Sequence, residues 1–501
     1  MPTRALVRRS FYQDSMVLMQ AAAELRALPG VREAAALMGT PANHEVLAAA
    51  GLATPETKTA TASDLLLAVD ADTEAAAEAA LAAGARRLDE RTQAREATGR
   101  VLPRTLDGAL RQIPDANLAL ISVPGAYAKL EAMSALRRGL HVFLFSDNVP
   151  IADEVELKRF AARQRLLCMG PDCGTAYVGG VGLGFANVVP RGRVGCVAAS
   201  GTGLQAVASR LAALGEGISH GIGVGGRDLS AEVGGAMTTL ALEALGADAA
   251  TEAVVVVSKP PAPGVLAALE AAIAAVRKPV VVCCLGATPR AGAPGTWVTT
   301  LDDAAGAAAA AVRGESWAPR LFGDPAAVRA RLAGLQARGS VLGLYTGGTL
   351  AHEAHLVLAP LLGAIPHRIV DLGDDEYTRG RLHPMIDPSL RESMVREAGD
   401  ARDVGVLLLD LVLGRAAHTD PAPSLAAAIR AARARATKAG RALLVVASVV
   451  GTAQDPQPLA AQVAALEGAG TVVLPSNAEA ARFAALALVP DLAARLLGGA
   501  R

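Results

Sequence analysis

Two glycine turns with the same plan hold the residues best suited to chemistry. Each follows a short apolar run and precedes a stretch rich in alanine and leucine, which predicts a buried strand that turns into a helix. A Ser or Thr caps such a helix well, and its first amides attract anions. We expect both turns to bind a phosphate or carboxylate, the alternative being ordinary capped turns. They are Ser200-Gly201-Thr202-Gly203 and Thr346-Gly347-Gly348-Thr349.

A polar loop after the second turn supplies the candidate catalytic residues. Asp371-Leu372-Gly373-Asp374-Asp375-Glu376 is followed by His383, Asp387 and Arg391, in a chain that is otherwise strongly aliphatic. Carboxylates of this kind can bind a cation through oxygen, although no metal site is assigned here. His383, Asp387 and Arg391 could bind a carboxylate or shuttle a proton. The alternative is a solvated turn that contains prolines and has no role in binding or catalysis.

Alternating strands and helices must position these residues. Residues 118–123, 141–145 and 165–169 are apolar runs separated by helical stretches, which predicts a parallel, doubly wound sheet. Ligands bind such sheets beyond the carboxyl ends of the strands. The turns at that edge are candidate sites for a cofactor or substrate, together with a glycine turn in the next unit. Their residues are Val123, Pro124, Gly170, Pro171, Asp172, Cys173, Gly225, Gly226 and Arg227.

The second part of the chain repeats itself. Residues 195–312 and 340–488 carry the same succession of strands and turns, with an offset of about 146 residues at the two glycine turns. We infer an internal duplication, with a charged, helical connector between the copies. Ahead of both copies, residues 3–100 show a βαβαβα order that suits a split βαβ layer. Residues 88–100 are charged, lack apolar periodicity and are interpreted as a solvated linker.

Composition excludes several classes of function. The formal net charge is zero and aromatic residues make up 3% of the chain, which argues against nucleic-acid and membrane-surface partners. Cysteine occurs five times, without metal-finger spacing, as expected of reduced thiols in the cytoplasm. The amino terminus lacks the apolar region of a secretory signal. The expected protein is cytoplasmic, with a small anionic substrate.

These residues carry a family resemblance. Residues 118–175 resemble the CoA-binding domain of the succinyl-CoA synthetase α-subunit, through Val123-Pro124 and Gly170-Pro171-Asp172-Cys173. Residues 195–312 are similar to the ligase domain of that subunit, whose phosphate turn matches Ser200-Gly201-Thr202, and residues 340–488 resemble the ligase domain of the β-subunit. The whole chain resembles the FdrA family, in which both ligase domains are fused behind an N-terminal module.

The resemblance implies an α/β fold with a Rossmann-like CoA-binding domain and two flavodoxin-like ligase domains behind a small ferredoxin-like α+β module. The implied boundaries are 1–100 for the module, 101–190 for the CoA-binding-like domain, 191–315 for the α-type ligase domain, 316–339 for a linker and 340–501 for the β-type ligase domain.

One departure from the family pattern shapes the functional hypothesis. Succinyl-CoA synthetase carries phosphate on a histidine in the loop that corresponds to residues 286–300, and that loop has no histidine here. No nucleotide-binding loop is visible either. The resemblance therefore implies a transferase subunit that exchanges oxamate and carbamoyl phosphate for oxalurate and phosphate in allantoin breakdown, with Arg391 or Arg227 holding the oxamate carboxylate.

Two alternatives stay open at this point. One is an acyl-CoA synthetase subunit that needs a separate ATP-hydrolysing partner, and the other is a non-catalytic regulator that binds CoA or a metabolite. CoA, phosphate and carbamoyl phosphate are the candidate ligands, and no cofactor is assigned. A homodimer or a complex with other subunits is expected.

Overall fold

The computed structural model of the protein describes residues 2–13, 15–96, 103–335, 337–378 and 382–498. Packing divides the chain into two units. The first comprises residues 1–116 with 375–382, and the second comprises residues 117–374 with 383–501. Among the described residues, no helix combines the length and apolar character needed to cross a lipid bilayer.

The N-terminal unit is built on a three-stranded antiparallel sheet in the order β1-β3-β2, so that β3 lies between the two strands of a split βαβ motif, as predicted. Alternate side chains of β3 face opposite sides: Leu67 packs with α1 and α3, and Leu66 packs with Leu47 of α2. The elements are β1 (Thr3–Arg8), α1 (Ser15–Arg26), β2 (Val31–Met38), α2 (Pro41–Ala49), β3 (Leu65–Ala71), α3 (Glu74–Glu96) and α4 (Leu106–Gln112).

The prediction of a linker at residues 88–100 is wrong for residues 88–96. Helix α3 continues through this segment, because Leu88 is fully buried in the core of the unit and anchors the charged last turns. Residues 97–100 lie outside the described residues.

The second unit begins with a three-stranded parallel sheet in the order β4-β5-β6, which is one half of a Rossmann fold. A β-hairpin follows it. The elements are β4 (Leu118–Ile121), α5 (Gly125–Arg137), β5 (His141–Leu144), α6 (Ile151–Arg163), β6 (Cys168–Met169), β7 (Thr175–Val178) and β8 (Val181–Gly184).

The first ligase-type sheet has seven strands in the order β13-β12-β11-β9-β10-β7-β8. Its five later strands are parallel and follow the flavodoxin order, and the β7–β8 hairpin adds to the edge by antiparallel pairing with β10. By hydrogen bonding the hairpin therefore belongs to this sheet, although the sequence boundary at residue 190 separates the two. The elements are β9 (Arg191–Ala198), α7 (Gly201–Ala213), β10 (Ile218–Gly223), α8 (Ala236–Ala247), β11 (Ala253–Ser258), α9 (Pro263–Ala275), β12 (Val280–Cys284), β13 (Thr296–Trp297) and α10 (Leu301–Arg313).

The second ligase-type sheet is fully parallel, in the order β15-β14-β16-β17-β18, and follows the same path as β10-β9-β11-β12-β13. The α/β fold class and the internal duplication are thereby confirmed. The first helix, α11, lies in the connector between the two halves. The elements are α11 (Pro325–Leu332), β14 (Ser340–Tyr345), α12 (Gly348–Leu362), β15 (His367–Asp371), α13 (Asp375–Thr378), α14 (Ser389–Ala398), β16 (Val404–Val412), α15 (Ala422–Lys438), β17 (Leu444–Val450), α16 (Leu459–Glu467), β18 (Thr471–Leu474), α17 (Asn477–Leu488) and α18 (Ala493–Leu497).

Buried polar side chains join the two ligase-type halves. Asn187, which precedes β9, donates to the carbonyl of Leu413 at 3.0 Å and to the carboxylate of Asp455 at 2.8 Å. Gln205 of α7 reaches the same Leu413 carbonyl. From the second half, Glu353 of α12 accepts a hydrogen bond from the Leu301 amide, which lies at the start of α10 in the first half. The halves therefore share one polar network as well as one aliphatic core.

Candidate functional site

The two glycine turns meet. Thr349, in the first turn of α12, donates its hydroxyl hydrogen bond to Ser200 Oγ at 2.5 Å. Gly347 packs on Thr202, so closely that a Cβ on Gly347 would lie 3.0 Å from the Thr202 Cβ. The structure thus brings the starts of α7 and α12 together, as the hypothesis of a shared anion site requires.

The first turn leaves its leading amides free. Ser200 is the N-cap of α7, and its hydroxyl accepts from the Gly203 amide at 2.9 Å. Within the described part of the chain, no acceptor lies at the amides of Gly201 and Thr202. Free amides at the positive end of a helix dipole can hold an anion.

The second turn differs from the first in its cap. Gly347, not Thr346, is the N-cap of α12, and it makes no side-chain cap hydrogen bond. The expectation that Thr346 caps this helix is therefore wrong, because β14 runs to Tyr345 and the helix starts at Gly348. The amides of Gly348 and Thr349 have no acceptor among the described residues.

A buried carboxylate that the sequence analysis missed lies under the second turn. Asp410, in the middle of the apolar strand β16, is fully buried. Its carboxylate accepts from the Thr346 amide at 2.8 Å, from the Thr346 hydroxyl at 3.0 Å and from the Gly347 amide at 2.8 Å. These three donors of the predicted phosphate site are therefore engaged by the protein itself.

Arg391 does not take the catalytic role proposed for it. The residue is 1% exposed, and its guanidinium forms an ion pair with Asp410 at 3.1 Å and donates to the Asp410 carbonyl at 2.8 Å. A guanidinium in this position neutralises a buried carboxylate and cannot reach a substrate. Removing either partner would leave an uncompensated buried charge.

His383 lies beside the second turn, as a neutral ring. Its Nδ1 accepts from the Met385 amide at 3.2 Å, which leaves the ring proton on Nε2. Burial lowers the pKa of His383 to about 4. At neutral pH the ring can donate a hydrogen bond from Nε2, but it is a poor proton shuttle. Its Nε2 packs against Gly373, where an added Cβ would also approach the Thr346 carbonyl at 3.1 Å.

Asp371 is a second carboxylate near α12, which the sequence analysis named as a possible cation ligand but not as a catalytic residue. It ends β15, accepts from the Gly373 amide at 2.9 Å, and lies so close to Gly348 that a side chain at Gly348 would overlap it. Burial raises the pKa of Asp371 to about 6, and Asp410 adds to the rise. Asp387, by contrast, accepts from the Ser389 amide at 3.1 Å and shapes the entry to α14.

The candidate CoA-binding turns come together at the carboxyl edge of the Rossmann-like sheet. Val123 and Pro124 lead into α5, whose first residue, Gly125, packs on the backbone of residues 147 and 148. Gly170 and Pro171 follow β6, and a Cβ on Gly225 would lie 2.7 Å from the Pro171 carbonyl oxygen. The Asp172 amide donates to the Ser146 carbonyl, and Asp172 has a positive φ of 56°.

This edge continues into the first glycine turn. A Cβ on Gly226 would lie 3.7 Å from the Ala199 carbonyl oxygen, and a Cβ on Gly201 would lie 2.9 Å from Thr175 Oγ1. Both contacts link the loops around residues 170–175 and 223–227 to the start of α7. The turns predicted to bind CoA and the turn predicted to bind phosphate are therefore packed next to each other.

Cys173 is an interior thiol. It is 2% exposed, and its Sγ lies 3.4 Å from the Gly223 carbonyl oxygen. Burial raises its pKa to about 12. Since the thiolate is the reactive form of cysteine, this residue fills space beneath the loop and is not a nucleophile.

Arg227 is anchored by other residues of the protein. Its Nε lies 2.7 Å from the buried Glu154 carboxylate, and it donates to the Val149 carbonyl at 2.8 Å. Glu154 also pairs with Lys158, which is fully buried and binds Asp228 at 2.9 Å. The network fixes the loop after β10 against α6, so that Arg227 acts in positioning.

Lys158 keeps its charge inside this network. Burial alone would lower its pKa, but the carboxylates of Asp228 and Glu154 outweigh burial and raise it. The spacing of Glu154 and Lys158 on one helix could have indicated their ion pair from the sequence. Such pairs usually lie on the surface, however, so the spacing does not predict a buried one. Asp228 is 70 residues away and could not be assigned to the pair.

Comparisons with known proteins match parts of the chain and, in one case, nearly all of it. Residues 344–487 match the family described as "CoA-ligase", and residues 1–102 match the family described as "AllF, heavy metal-associated domain". The uncharacterized protein YahF of Escherichia coli is 37% identical over 504 residues, which cover 95% of this chain and 97% of YahF.

Enzymes match over shorter stretches or with lower similarity. The succinate–CoA ligase [ADP-forming] subunit alpha of Methanothermobacter thermautotrophicus is 28% identical over 115 residues, which cover 22% of this chain and 39% of that subunit. Among solved structures, the dinucleotide-forming acetyl-coenzyme A synthetase 1 of Ca. Korarchaeum cryptofilum is 18% identical with a TM-score of 0.33, covering 77% of this chain and 85% of that one.

The residues of the N-terminal unit do not fit a heavy-metal site. Soft metals prefer thiolate ligands, and residues 1–102 contain no cysteine. The single histidine there, His44, has its Nε2 3.1 Å from the Ala60 carbonyl oxygen. Across the described residues, no group of three His, Cys, Asp or Glu side chains could hold a metal ion. The match therefore describes the fold of this unit and not a metal function.

Proposed function

The chain belongs to the family of the Escherichia coli protein YahF, and from that premise we propose that it transfers an acyl group between CoA and phosphate, as part of an acyl-CoA synthetase of the succinyl-CoA ligase type. CoA binds on the turns at Val123-Pro124 and Gly170–Cys173. The phosphate binds at the free amides of Gly201 and Thr202. A separate subunit supplies the nucleotide chemistry.

One observation carries this proposal: the candidate CoA turns and the candidate phosphate turn touch. Gly225 packs on Pro171, Gly226 lies near Ala199, and Thr175 lies against Gly201. A transfer between a thiol and an acyl phosphate needs both reactants within about 3–3.5 Å of each other. Contiguous loops can provide this approach without a mobile carrier.

The reaction balances without any further reagent. The CoA sulfur attacks the carbonyl carbon of the acyl phosphate, the bond from carbon to the phosphate oxygen breaks, and the thiol proton leaves with the phosphate. The free amides at α7 stabilise the charge that develops on the leaving phosphate. The Nε2 proton of the neutral His383 is a further donor on the side of α12.

Arsenolysis tests this function without a nucleotide. Arsenate replaces phosphate, and the acyl arsenate that forms hydrolyses, so that acyl-CoA yields free CoA thiol continuously. We expect release of thiol from acetyl-CoA or succinyl-CoA that depends on arsenate and protein. Substituting Thr202 with Pro removes one amide donor in the first turn of α7, where proline is tolerated, and should reduce the rate by 10-fold or more.

Carbamoyl transfer was the first expectation from the FdrA resemblance, and the relatives named above do not bear on it. It predicts phosphate release from carbamoyl phosphate and oxamate with no CoA present. Such release, together with no arsenolysis of any acyl-CoA, would replace the acyl-CoA proposal with the carbamoyl one. Regulation without catalysis predicts binding of CoA and no turnover in either assay.

A further inference from the structure

The second glycine turn already holds a carboxylate. Thr346 and Gly347 donate two amides and one hydroxyl to Asp410, at 2.8–3.0 Å, and Arg391 adds an ion pair at 3.1 Å. Asp410 and Arg391 are 0% and 1% exposed. This is the donor set that a protein offers to a bound carboxylate ligand, and here the ligand belongs to the chain itself.

The duplicated half shows that this carboxylate is not required by the fold. In the first half, Val257 of β11 pairs in register with Ala198, the last residue of β9. In the second half, Leu409 pairs with Leu344, so that Asp410 takes the place opposite Tyr345, the last residue of β14. Asp410 and Val257 therefore occupy corresponding positions.

The side chain of Val257 also lies under its turn, because a Cβ on Gly203 would be 3.0 Å from the Val257 Cγ1. Among the described residues, the first two amides of both helices have no acceptor, but the first turn is underlain by an apolar side chain. The other is underlain by a carboxylate that binds the two amides just before the helix.

We propose that the second turn is a carboxylate-binding site that the chain fills with Asp410, with Arg391 as counter-ion, and that an external anion is consequently held from the side of the first turn. Resting on the acyl-transfer function proposed above, this orients the substrate. The phosphoryl group lies at the start of α7, and the uncharged acyl carbon lies toward α12, where Asp410 and Asp371 disfavour a second anion.

Removing the internal ligand should create a site for an external one. In an Asp410→Ala variant, the donors of Thr346, Gly347 and Arg391 face a vacated space of carboxylate size. We expect formate and acetate to raise the melting temperature of D410A by several degrees, saturably. The same titration should leave the wild type unchanged, because its site is full. A folded D410A variant that does not respond to formate would overturn the proposal.

Formate also tests the proposal if the D410A variant folds poorly. If D410A is recovered only when formate is present during refolding, the proposal is supported. If it is recovered equally with sodium chloride, the proposal fails. Neither readout uses CoA or turnover, so a negative arsenolysis result would remove the acyl-transfer function and leave this assignment standing.

A second variant tests the side from which the external anion is held. The double substitution Asp410→Val and Arg391→Met places apolar side chains under the second turn, as Val257 lies under the first. Replacing a buried ion pair by apolar residues is often neutral or stabilising. We expect this double variant to fold and to bind sulfate, measured by calorimetry, within about twofold of the wild type. A loss of sulfate affinity above 10-fold would mean that the second turn holds the external anion.

Discussion

The hydroxyl of Thr349 donates a hydrogen bond to the hydroxyl of Ser200, and 2.5 Å separate the two oxygens. These residues are 149 positions apart, in the two copies of one duplicated unit. Because each lies at the start of a helix, the bond sets the separation of two helix N-termini. On the side of α7, an anion placed there meets the free amides of Gly201 and Thr202, and on the side of α12 it meets those of Gly348 and Thr349 beside the carboxylate of Asp371.

Replacing Thr349 with Val removes this bond and keeps the shape of the side chain. We expect the free energy of unfolding to fall by about 1 kcal/mol and sulfate affinity to fall several-fold, because α12 is no longer tied to α7. Urea denaturation and calorimetry measure the two effects. Ser476→Ala is the control, since Ser476 caps α17 in the way that Ser200 caps α7 but bonds no second turn. Equal sulfate binding in T349V and wild type would contradict the expectation.

Replacing Lys158 with Met should be among the most costly single changes. It leaves the carboxylate of Asp228 buried without its cation and leaves Glu154 paired with Arg227 alone, which costs about 3–5 kcal/mol. Urea denaturation measures the loss. The matched control is Arg165→Ala, which breaks an ion pair with Glu243 between exposed side chains and should cost under about 1 kcal/mol. Similar losses for both variants would show that the buried network does not act as described.

His383 should make the protein less stable in mild acid. Burial lowers its pKa from 6.5 to about 4, so between these pH values the unfolded chain binds a proton that the native ring does not. Its contribution to the free energy of unfolding therefore falls as pH falls from about 6.5 to 4. His383→Gln should lose less stability than the wild type across this window, in urea denaturation at several pH values.

The pH profile of the variant must be compared with that of the wild type, because other groups change the stability with pH in the opposite direction. Burial raises the pKa of Glu353 to about 7 and that of Asp371 to about 6. Their native forms hold protons that the unfolded chain releases, so their contribution falls as pH rises through about 4 to 7. Parallel pH profiles of H383Q and wild type would rule out the buried neutral ring.

Gly125 should tolerate no side chain. A Cβ there would overlap the backbone of Asp147 and Asn148, and overpacking of this kind costs about 1–3 kcal/mol. Because the loop that moves carries a candidate CoA turn, Gly125→Ala should also weaken CoA binding. Gly264→Ala is the control: Gly264 is helical, exposed and has no atom within 4 Å of an added Cβ. That change should stabilise the protein by about 0.5–1 kcal/mol.

Much of the fold could be predicted because the central strands are unbroken apolar runs. Residues 118–123 and 141–145 were predicted as strands, and the structure has β4 (Leu118–Ile121) and β5 (His141–Leu144) there. Such runs are typical of parallel strands buried on both faces. The end of α3 was missed because its charged turns resemble a linker, and only the burial of Leu88 shows otherwise.

The site was predictable where it depends on local sequence, and only there. Ser200 and Thr349 were identified from the turn pattern alone. Asp410 was not, because one acid inside an apolar strand carries no signal of its partners, which are 64 and 19 positions away. Arg391 was assigned to substrate for the same reason: an arginine in a polar segment looks available until the structure shows the carboxylate it neutralises.

The polar network between the two ligase-type halves has a consequence for how the molecule is made. Asn187 and Asp455 are 268 positions apart, and both are buried. If the halves were separate polypeptides, each would have to find the other in dilute solution before these groups could be paired. On one chain, the effective concentration of the partner is in the millimolar range. With both halves on one chain, their pairing is a step of folding, whose yield does not depend on the concentration of the protein.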